Sequence, residues 1–425
     1  MNAKNITYAL AAALVLAAGI FLRVCSTSAF DRLPVEKGKL VPALSFRMGK
    51  DETIYANYLG ALHLFGVRYY GPLVRAYKSN QEEDPSGKTV EVTVHPLRMT
   101  YLLLSLAWLE TFHSGTLTAL HAISSIAAVL HLLVAGIFAW RLGGKYASLG
   151  VLALMAFAPL QICLAQRALV DGFYGFEATL CFWLLWENLR APNNWWWLAA
   201  YAASLVALVM TKEYSAFVVL AFCILMAANH WLKFGAVTLK LLVATVIGPA
   251  LGVLVLMYFA GGFTGFFDFY ILFLKKSHGL DYAIKMQDGP WTRYLLDFLI
   301  VSPAILLLAV GRIFQLERDN RPDLFCALFL IASYVPMACV TYGMSLRFAA
   351  YWDFPLCWLA WSLLRALSER LFTNRKTVAL AVAVVLVCGI EMRDYRRIFV
   401  EFDDGKHQIY DPVTENLLQA DKILK

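Results

Sequence analysis

Charged residues border several apolar stretches of this chain, and their types suit one kind of chemistry. They are His95, Arg347, the adjacent pairs Asp51-Glu52 and Lys212-Glu213, and the spaced pair Arg167 and Asp171. A carboxylate can take the proton of an acceptor hydroxyl while a fixed Arg or Lys neutralises a leaving phosphate. Glycosyl or phosphoryl transfer from a lipid-linked substrate needs both groups on one face. A single charge at a membrane boundary has a simpler interpretation, because helix ends commonly contact lipid headgroups there.

The composition is that of a membrane protein. Of the 425 residues, 60% are hydrophobic and 16% are charged, whereas a soluble domain has about 25% charged residues. The mean hydropathy of +0.61 agrees with this. Lys and Arg number 37 against 30 Asp and Glu, and this small excess lies in short loops between apolar runs. The pattern excludes a nucleic-acid-binding protein and predicts contact with membrane lipid.

Eleven apolar stretches predict transmembrane helices, because a span needs about 20 mostly apolar residues. They cover residues 6–23, 116–140, 146–165, 172–188, 195–211, 214–232, 240–259, 293–311, 323–342, 349–367 and 377–392. The predicted fold class is therefore all-α integral membrane, with about eleven transmembrane helices.

Shorter stretches predict helices that do not cross the membrane. Residues 101–112 are apolar but few, which predicts an interfacial or re-entrant helix. Residues 53–65 carry apolar side chains at helical spacing, which predicts a helix on the membrane surface that Gly66 and Gly71-Pro72 end. The polar run 78–88 predicts a solvated loop tip.

The basic residues between the spans predict the orientation of the chain by the positive-inside rule. With a cytoplasmic N-terminus, the basic loops lie inside, and the C-terminus and all the charged residues named above lie outside. The predicted organisation is a first transmembrane helix, a first outer loop with surface and re-entrant helices, a transmembrane module, a further long outer loop, a C-terminal transmembrane module and a short outer tail. These parts cover residues 1–23, 24–115, 116–259, 260–292, 293–392 and 393–425.

Five segments in the first 230 residues carry a family resemblance. They are FRMGKDETIYANYLG (46–60), VHPLRMTYLLLSLAWLETFHSG (94–115), WRLGGKYASLG (140–150), APLQICLAQRALVDGFYGFEATLCFWLLWE (158–187) and LVMTKEYSAFVV (208–219). In this order and spacing they resemble the polytopic glycosyltransferases of the GT-C fold, in particular the group of protein O-mannosyltransferases and lipid A aminoarabinose transferases. A weaker similarity lies at LRFAAYWDFPL (346–356), where that group has an Arg before a proline-containing helix.

The resemblance implies an enzyme that transfers a sugar from a polyprenyl-phosphate carrier at the extracytoplasmic face, with inversion at the anomeric carbon. Asp51 matches the first-loop acidic residue taken as the catalytic base, and Glu52 completes the DE pair. Asp171 matches the acidic residue of the second outer loop, which shapes the acceptor or metal site. Arg167 matches the basic residue of an R-x-x-x-D pattern and is expected near Asp171. The candidates for binding the donor phosphate are Arg347, Lys212, Arg167 and His95.

The resemblance also bears on cofactor, partners and location. A divalent cation is one option, with Asp51 and Asp171 as ligands, and the acceptor is a protein, a lipid or a glycan. The expected location is the cytoplasmic (inner) membrane. The family's HP-P-L pattern is here His95-Pro96-Leu97, one proline shorter, and Arg98 is the adjacent basic residue.

Two other functions stay open at this point. A transporter or flippase of lipid-linked glycans would use the same substrate, but the sequence has no internal repeat and few charges in mid-span. A polymerase or ligase of surface polysaccharide would share the lipid donor but would carry its large catalytic loop late in the chain.

Overall fold

The computed structural model describes residues 3–25, 50–83, 95–277, 287–340, 343–372 and 374–401. Every regular element within these ranges is helical. The α-helices are α1 (Ala3–Val24), α2 (Lys50–Phe65), α3 (Tyr70–Glu83), α4 (Met99–Phe112), α5 (Thr116–Gly143), α6 (Lys145–Ala156), α7 (Pro159–Ala165), α8 (Val170–Arg190), α9 (Trp195–Thr211), α10 (Ser215–Leu232), α11 (Leu239–Phe259), α12 (Gly262–Ser277), α13 (Arg293–Val301), α14 (Pro303–Ile313), α15 (Arg321–Met337), α16 (Asp353–Leu371) and α17 (Lys376–Tyr395). Short 3₁₀-helices cover Val67–Tyr69 and Leu346–Trp352, and a π-helical turn covers Arg396–Glu401.

Several of these helices are long and apolar enough to cross a membrane. Helices α1 (from Ile6), α5, α10 and α11 meet that requirement individually, and the bent pair α6 and α7 gives a fifth candidate span. Helix α5 has 28 residues, or about 42 Å at 1.5 Å per residue, against a hydrocarbon core of about 30 Å. The chain is therefore a multi-pass membrane protein of the all-α class.

The helix bounds agree with the apolar pattern in much of the chain. Helix α9 covers the predicted residues 195–211, and α10 and α11 each begin within one residue of the predicted start. Helices α2 and α4 contain the predicted shorter helices 53–65 and 101–112. Helix α4 has 14 residues, or about 21 Å, which is too short for the hydrocarbon core.

Two stretches predicted as single spans are each broken before a proline. The predicted helix 146–165 is the pair α6 and α7, which meet at 63°, and the predicted helix 293–311 is the pair α13 and α14. The residues before the prolines, Ala158 and Ser302, have ψ of 117° and 61°. A proline ring disfavours the helical conformation at the preceding residue, so the helix ends there.

Other predicted elements differ in their details. The stretch 349–367 begins as the 3₁₀-helix Leu346–Trp352 and only then becomes α16, and the stretch 323–342 is helical only to the end of α15. The polar run 78–88 is helical through Glu83 in α3, and its remaining residues lie outside the described ranges.

Gly71-Pro72 begins α3 instead of ending a helix, because proline is tolerated in a first turn. The break lies at Gly66, whose φ is 76°. Most of the predicted outer tail, residues 402–425, also lies outside the described ranges.

Helix α8 is enclosed along most of its length and organises the core. Its Phe182 stacks on Phe329 of α15, with ring centroids 4.1 Å apart and an interplanar angle of 18°. Near its N-terminal end, a side chain at Gly175 would lie 3.2 Å from Ala350 of the 3₁₀-helix Leu346–Trp352. The absence of a side chain at Gly175 therefore lets this 3₁₀-helix lie directly against α8.

Candidate active site

Four of the predicted site residues come from four separate segments and meet at one place. Asp51 lies in the first turn of α2, and Asp171 lies in the first turn of α8. Lys212 follows the last residue of α9, and Arg347 lies in the 3₁₀-helix before α16. Each side chain is thus held at a helix end, where the chain enters or leaves the apolar core.

Arg347 joins the two aspartates. Its Nη1 donates to Asp51 Oδ2 at 2.7 Å, and its Nε lies 3.7 Å from Asp171 Oδ2. Lys212 Nζ donates to the other oxygen of that carboxylate, Asp171 Oδ1. The four groups form a line of alternating charge in the order Asp51, Arg347, Asp171 and Lys212, which we call the charge line.

The members of the charge line differ in their exposure. The Asp171 and Lys212 side chains are 3% and 1% exposed, whereas Asp51 is 19% exposed. Charged groups so deeply buried are stable only when they are paired, so Asp171 and Lys212 depend on each other. Asp51 is the most exposed member of the line, followed by Arg347 at 10%.

Aromatic rings enclose the Lys212 ammonium. Its Nζ lies 3.6 Å from the ring centroid of Phe348 and within 6 Å of those of Tyr174 and Tyr214. Ring faces carry partial negative charge and attract a cation. Burial lowers the pKa of Lys212 to about 8, while the charge of Asp171 opposes that shift. Lys212 was predicted to bind the donor phosphate, but its ammonium faces Asp171 and Phe348.

Glu52 contacts the turn between α7 and α8. Its Oε1 accepts hydrogen bonds from Arg167 Nε and from the backbone N–H of Ala168, both at 2.9 Å. The resemblance places Arg167 near Asp171, and in the structure Arg167 forms a salt bridge with Glu52. Arg167 and Asp171 are four residues apart but do not share a helical turn, because α7 ends at Ala165 and α8 begins at Val170. Glu52 and Arg167 therefore position the start of α8, which carries Asp171.

Replacing Glu52 with alanine is expected to destabilise the protein by about 3 to 5 kcal/mol, because it leaves a buried guanidinium without its carboxylate. Glu52→Gln keeps an oxygen that can accept from Arg167 and Ala168, so we expect a smaller loss. The unfolding temperatures of the two purified variants, compared with wild type in the same detergent, measure both losses of stability. An alanine variant that unfolds at the wild-type temperature would contradict this role.

A second ionic group lies beside the charge line. Arg98 Nη2 donates to Glu213 Oε1 at 3.0 Å, and His95 Nε2 lies 3.4 Å from Glu213 Oε2. Burial alone would raise the pKa of Glu213, but the charge of Arg98 outweighs it and the pKa lies well below its usual value. Burial lowers the pKa of His95, which favours the neutral ring. His95 thus contacts Glu213, the residue that follows Lys212 of the charge line.

A buried polar network supports the 3₁₀-helix that carries Arg347. Gln161 Nε2 donates to the backbone oxygen of Ala350 at 2.8 Å and to Asp353 Oδ2 at 2.7 Å. The Gln161 oxygen lies 3.0 Å from His131 Nδ1. Sequence reasoning assigned no role to Gln161, and the only signal for it was an amide within an otherwise apolar run.

The charged groups are not arranged as a metal site. Within the described ranges, no three His, Cys, Asp or Glu side chains come together in a way that could hold a metal ion. Asp51 and Asp171 already contact Arg347, so a dication between them would have to displace a guanidinium. The divalent cation considered from the sequence therefore does not fit this arrangement of side chains.

The arrangement of helices is that of GT-C membrane glycosyltransferases of known structure. ArnT from Cupriavidus metallidurans in the apo state aligns over 99% of this chain and 80% of its own, with a TM-score of 0.53 and 14% identity. The same protein bound to undecaprenyl phosphate aligns with a TM-score of 0.51, over 99% of this chain and 78% of its own, also with 14% identity.

An archaeal structure shares the fold over a smaller part of its length. The oligosaccharyltransferase AglB from Archaeoglobus fulgidus, in complex with an inhibitory peptide and a dolichol-phosphate, has a TM-score of 0.53 and 13% identity, and the alignment covers 92% of this chain and 56% of AglB. No protein-family model and no curated protein matches the sequence. At these identities the comparisons establish the GT-C fold, whereas the similarity to protein O-mannosyltransferases is an interpretation of the sequence alone.

Proposed function

We propose that this protein is an integral membrane glycosyltransferase that moves a sugar from a polyprenyl-phosphate carrier to an acceptor hydroxyl at the extracytoplasmic face, with inversion. The observation that carries the proposal is the charge line, in which a reachable carboxylate lies next to a fixed guanidinium. Asp51 would accept the proton of the acceptor hydroxyl, and Arg347 would neutralise the phosphate as it leaves. Asp171 and Lys212 would hold Arg347 in place.

The protein's fold supports this class of donor. ArnT has been solved with undecaprenyl phosphate and AglB with a dolichol-phosphate. Both are lipid phosphates, and a carrier of this kind would bring its phosphate to the end of the membrane-spanning helices. Asp171 and Lys212 lie at the ends of the predicted spans α8 and α9, and Arg347 and Asp51 lie beside them in the 3₁₀-helix before α16 and in the first turn of α2, so a lipid phosphate could meet the charge line there.

The ion pairs support the proposed eleven-span topology. Lys78 pairs with Asp268 at 3.4 Å, and both belong to predicted outer loops. Arg141 pairs with Glu187 at 2.6 Å and Arg312 with Asp323 at 2.5 Å, and these four residues belong to predicted inner ends. The charge line likewise joins residues that all lie on the predicted outer side. These contacts are those expected if the paired residues share a side of the membrane, whereas the cytoplasmic N-terminus, the extracytoplasmic site and the cytoplasmic (inner) membrane are proposed from the basic loops and the resemblance.

Cysteine labelling tests this orientation. After Cys25, Cys223 and Cys339, the exposed native cysteines, have been replaced by serine, single cysteines are placed at the exposed residues Ser79 and Asn193. An impermeant maleimide added to right-side-out vesicles is expected to label position 79 and to spare position 193. Inside-out vesicles should give the opposite result. Labelling of both positions from the same side of the membrane would contradict the topology.

The reaction itself is tested with purified protein in detergent and synthetic polyprenyl-phosphate sugars that carry a radiolabel. Transfer releases the polyprenyl phosphate and moves the label to an acceptor, or to water where no acceptor is present. We expect donor consumption with at least one sugar of the panel. If no donor is consumed but the donor crosses the bilayer of proteoliposomes, the protein is a flippase and the proposal fails.

The rate of transfer is expected to fall as the pH rises through about 8, the value to which burial lowers the pKa of Lys212. Below that pH the ammonium is protonated and pairs with Asp171; above it the amine is neutral and the charge line has one cation fewer. The Lys212→Arg variant stays charged at higher pH. Its rate should therefore lose the alkaline decline, and an unchanged pH profile in this variant would contradict the assignment.

A further inference from the structure

Helix α12 presents an apolar stripe that no described part of the protein covers. Phe263, Phe267, Ile271 and Leu274 are 68%, 44%, 49% and 54% exposed. Their spacing of four, four and three residues places them along one face of the helix. With 16 residues, or about 24 Å, α12 is too short to cross a hydrocarbon core of about 30 Å.

The opposite face of α12 packs on the protein. Phe269 is 2% exposed, and its ring centroid lies 5.3 Å from those of Tyr77 in α3 and His95. Phe273 meets the edge of the same histidine at 5.2 Å. Lys276 Nζ donates to Gln81 Oε1 at 3.2 Å. These contacts fix the rotation of the helix, so the stripe must face away from the bundle.

The stripe follows an exposed apolar surface on a helix that is long enough to span a membrane. Helix α11 is a candidate span whose Val246, Leu254 and Tyr258 are 68%, 58% and 79% exposed. Between α11 and α12 the chain turns at Gly261 and Gly262, whose φ values of 90° and 93° favour glycine. The exposed apolar surface of α11 therefore passes into α12 across a turn of two glycines, at the end of a membrane-spanning helix.

We propose that α12 lies along the membrane surface, with this stripe in the boundary between headgroups and acyl chains of the outer leaflet. The leaflet follows from the proposed topology, whereas contact with lipid does not depend on it or on the enzymatic activity. Large apolar side chains on one face, with the exposed Lys275 beside them, are typical of interfacial helices. A second copy of the chain is less suited, because the stripe is continuous with a surface that must contact acyl chains.

The position of α12 has a consequence for the site. Its buried face covers His95, which contacts Glu213 beside the charge line. One helix, about 10 Å across, then separates lipid from this ionic group.

Spin labelling measures the depth of the stripe directly. In the background with Cys25, Cys223 and Cys339 replaced, single cysteines at Phe267 and Ile271 carry a nitroxide, and the protein is reconstituted in phosphatidylglycerol nanodiscs. Power saturation compares collisions with oxygen, which partitions into lipid, and with a water-soluble nickel chelate. References are Val246 in α11, Ser79 in α3, and Asp268, which lies on α12 beside the stripe and is 52% exposed.

We expect the oxygen-to-nickel ratio at Phe267 and Ile271 to be several-fold above that at Asp268 and Ser79 and to approach that at Val246. The derived depth should be about 5 to 10 Å below the headgroups. A ratio equal to that of Ser79 would place the stripe in water and overturn the proposal. Labels that neither reagent reaches would also overturn it, because a protein partner would then cover the stripe.

Discussion

Asp51→Asn is expected to lower sugar transfer by roughly 100- to 10,000-fold, the range that a positioned general base contributes. Asparagine has nearly the same size as aspartate, and its amide oxygen can still accept the hydrogen bond that Arg347 Nη1 gives to Asp51 at 2.7 Å. The charge line would therefore lose its proton acceptor and keep most of its geometry. Arg347 also keeps Asp171 as an ionic partner, so the change leaves no buried charge unpaired.

Glu110 offers a matched control for this variant. It lies in the same predicted outer layer, its Oε1 is 2.6 Å from His63 Nδ1, and its side chain is 52% exposed. Glu110→Gln should therefore transfer sugar at close to the wild-type rate. Initial rates of donor consumption and the unfolding temperature are measured for both variants. If Asp51→Asn folds normally and transfers within a few-fold of wild type, Asp51 is not the base.

The helices were largely predictable from the sequence, because burial in apolar surroundings leaves long runs without charge. The bounds of α9, α10 and α11 match the apolar pattern to within one residue. The breaks were harder to predict, since hydropathy averaged over a window does not register a single proline. Even the prolines are ambiguous, because α11 continues through Pro249 and α15 contains Pro336, whereas the chain breaks before Pro159 and Pro303.

The sequence predicts that the charged residues lie on one side of the membrane, but it does not predict which of them form pairs. Membrane topology orders helix ends by side, so Asp51, Asp171, Lys212 and Arg347 could be assigned to one face without knowledge of which helices touch. Pairing depends on helix packing, such as the close approach of the 3₁₀-helix Leu346–Trp352 to α8 at Gly175. This information is not local in sequence, so neither the Asp51 to Arg347 contact nor the Glu52 to Arg167 contact was predicted.

Residues that act through others gave the weakest sequence signals. Phe348 resembles any core aromatic, yet its ring lies 3.6 Å from the Lys212 ammonium and 5.2 Å from the Arg347 guanidinium. Gln161 is one amide in an apolar run, yet its side chain holds the backbone of the helix that carries Arg347. Their contribution is positional, and such a contribution becomes visible only when the neighbours are known.

Arg347→Gln is expected to reduce transfer by about 100- to 1,000-fold, which is the effect of removing one preorganised group that stabilises developing negative charge. The guanidinium is the only member of the charge line that contacts both aspartates, at 2.7 Å and 3.7 Å. Glutamine leaves the leaving phosphate without this cation and removes the positive charge that lies between the Asp51 and Asp171 carboxylates. Their repulsion would also displace Asp51 from the acceptor.

The Arg347→Lys variant tests whether transfer needs only the positive charge at this position or also the shape of the guanidinium. Lysine keeps one positive charge but presents it at a single point, whereas the planar guanidinium can bond in two directions. We therefore expect a rate between those of wild type and Arg347→Gln. Arg365→Gln is the control, because Arg365 forms an exposed i,i+4 pair with Glu369 at 3.0 Å, and such pairs contribute about 0.5 kcal/mol. A folded Arg347→Gln variant that transfers as fast as Arg365→Gln would show that the leaving phosphate is neutralised elsewhere, and the phosphate role of Arg347 would have to be abandoned.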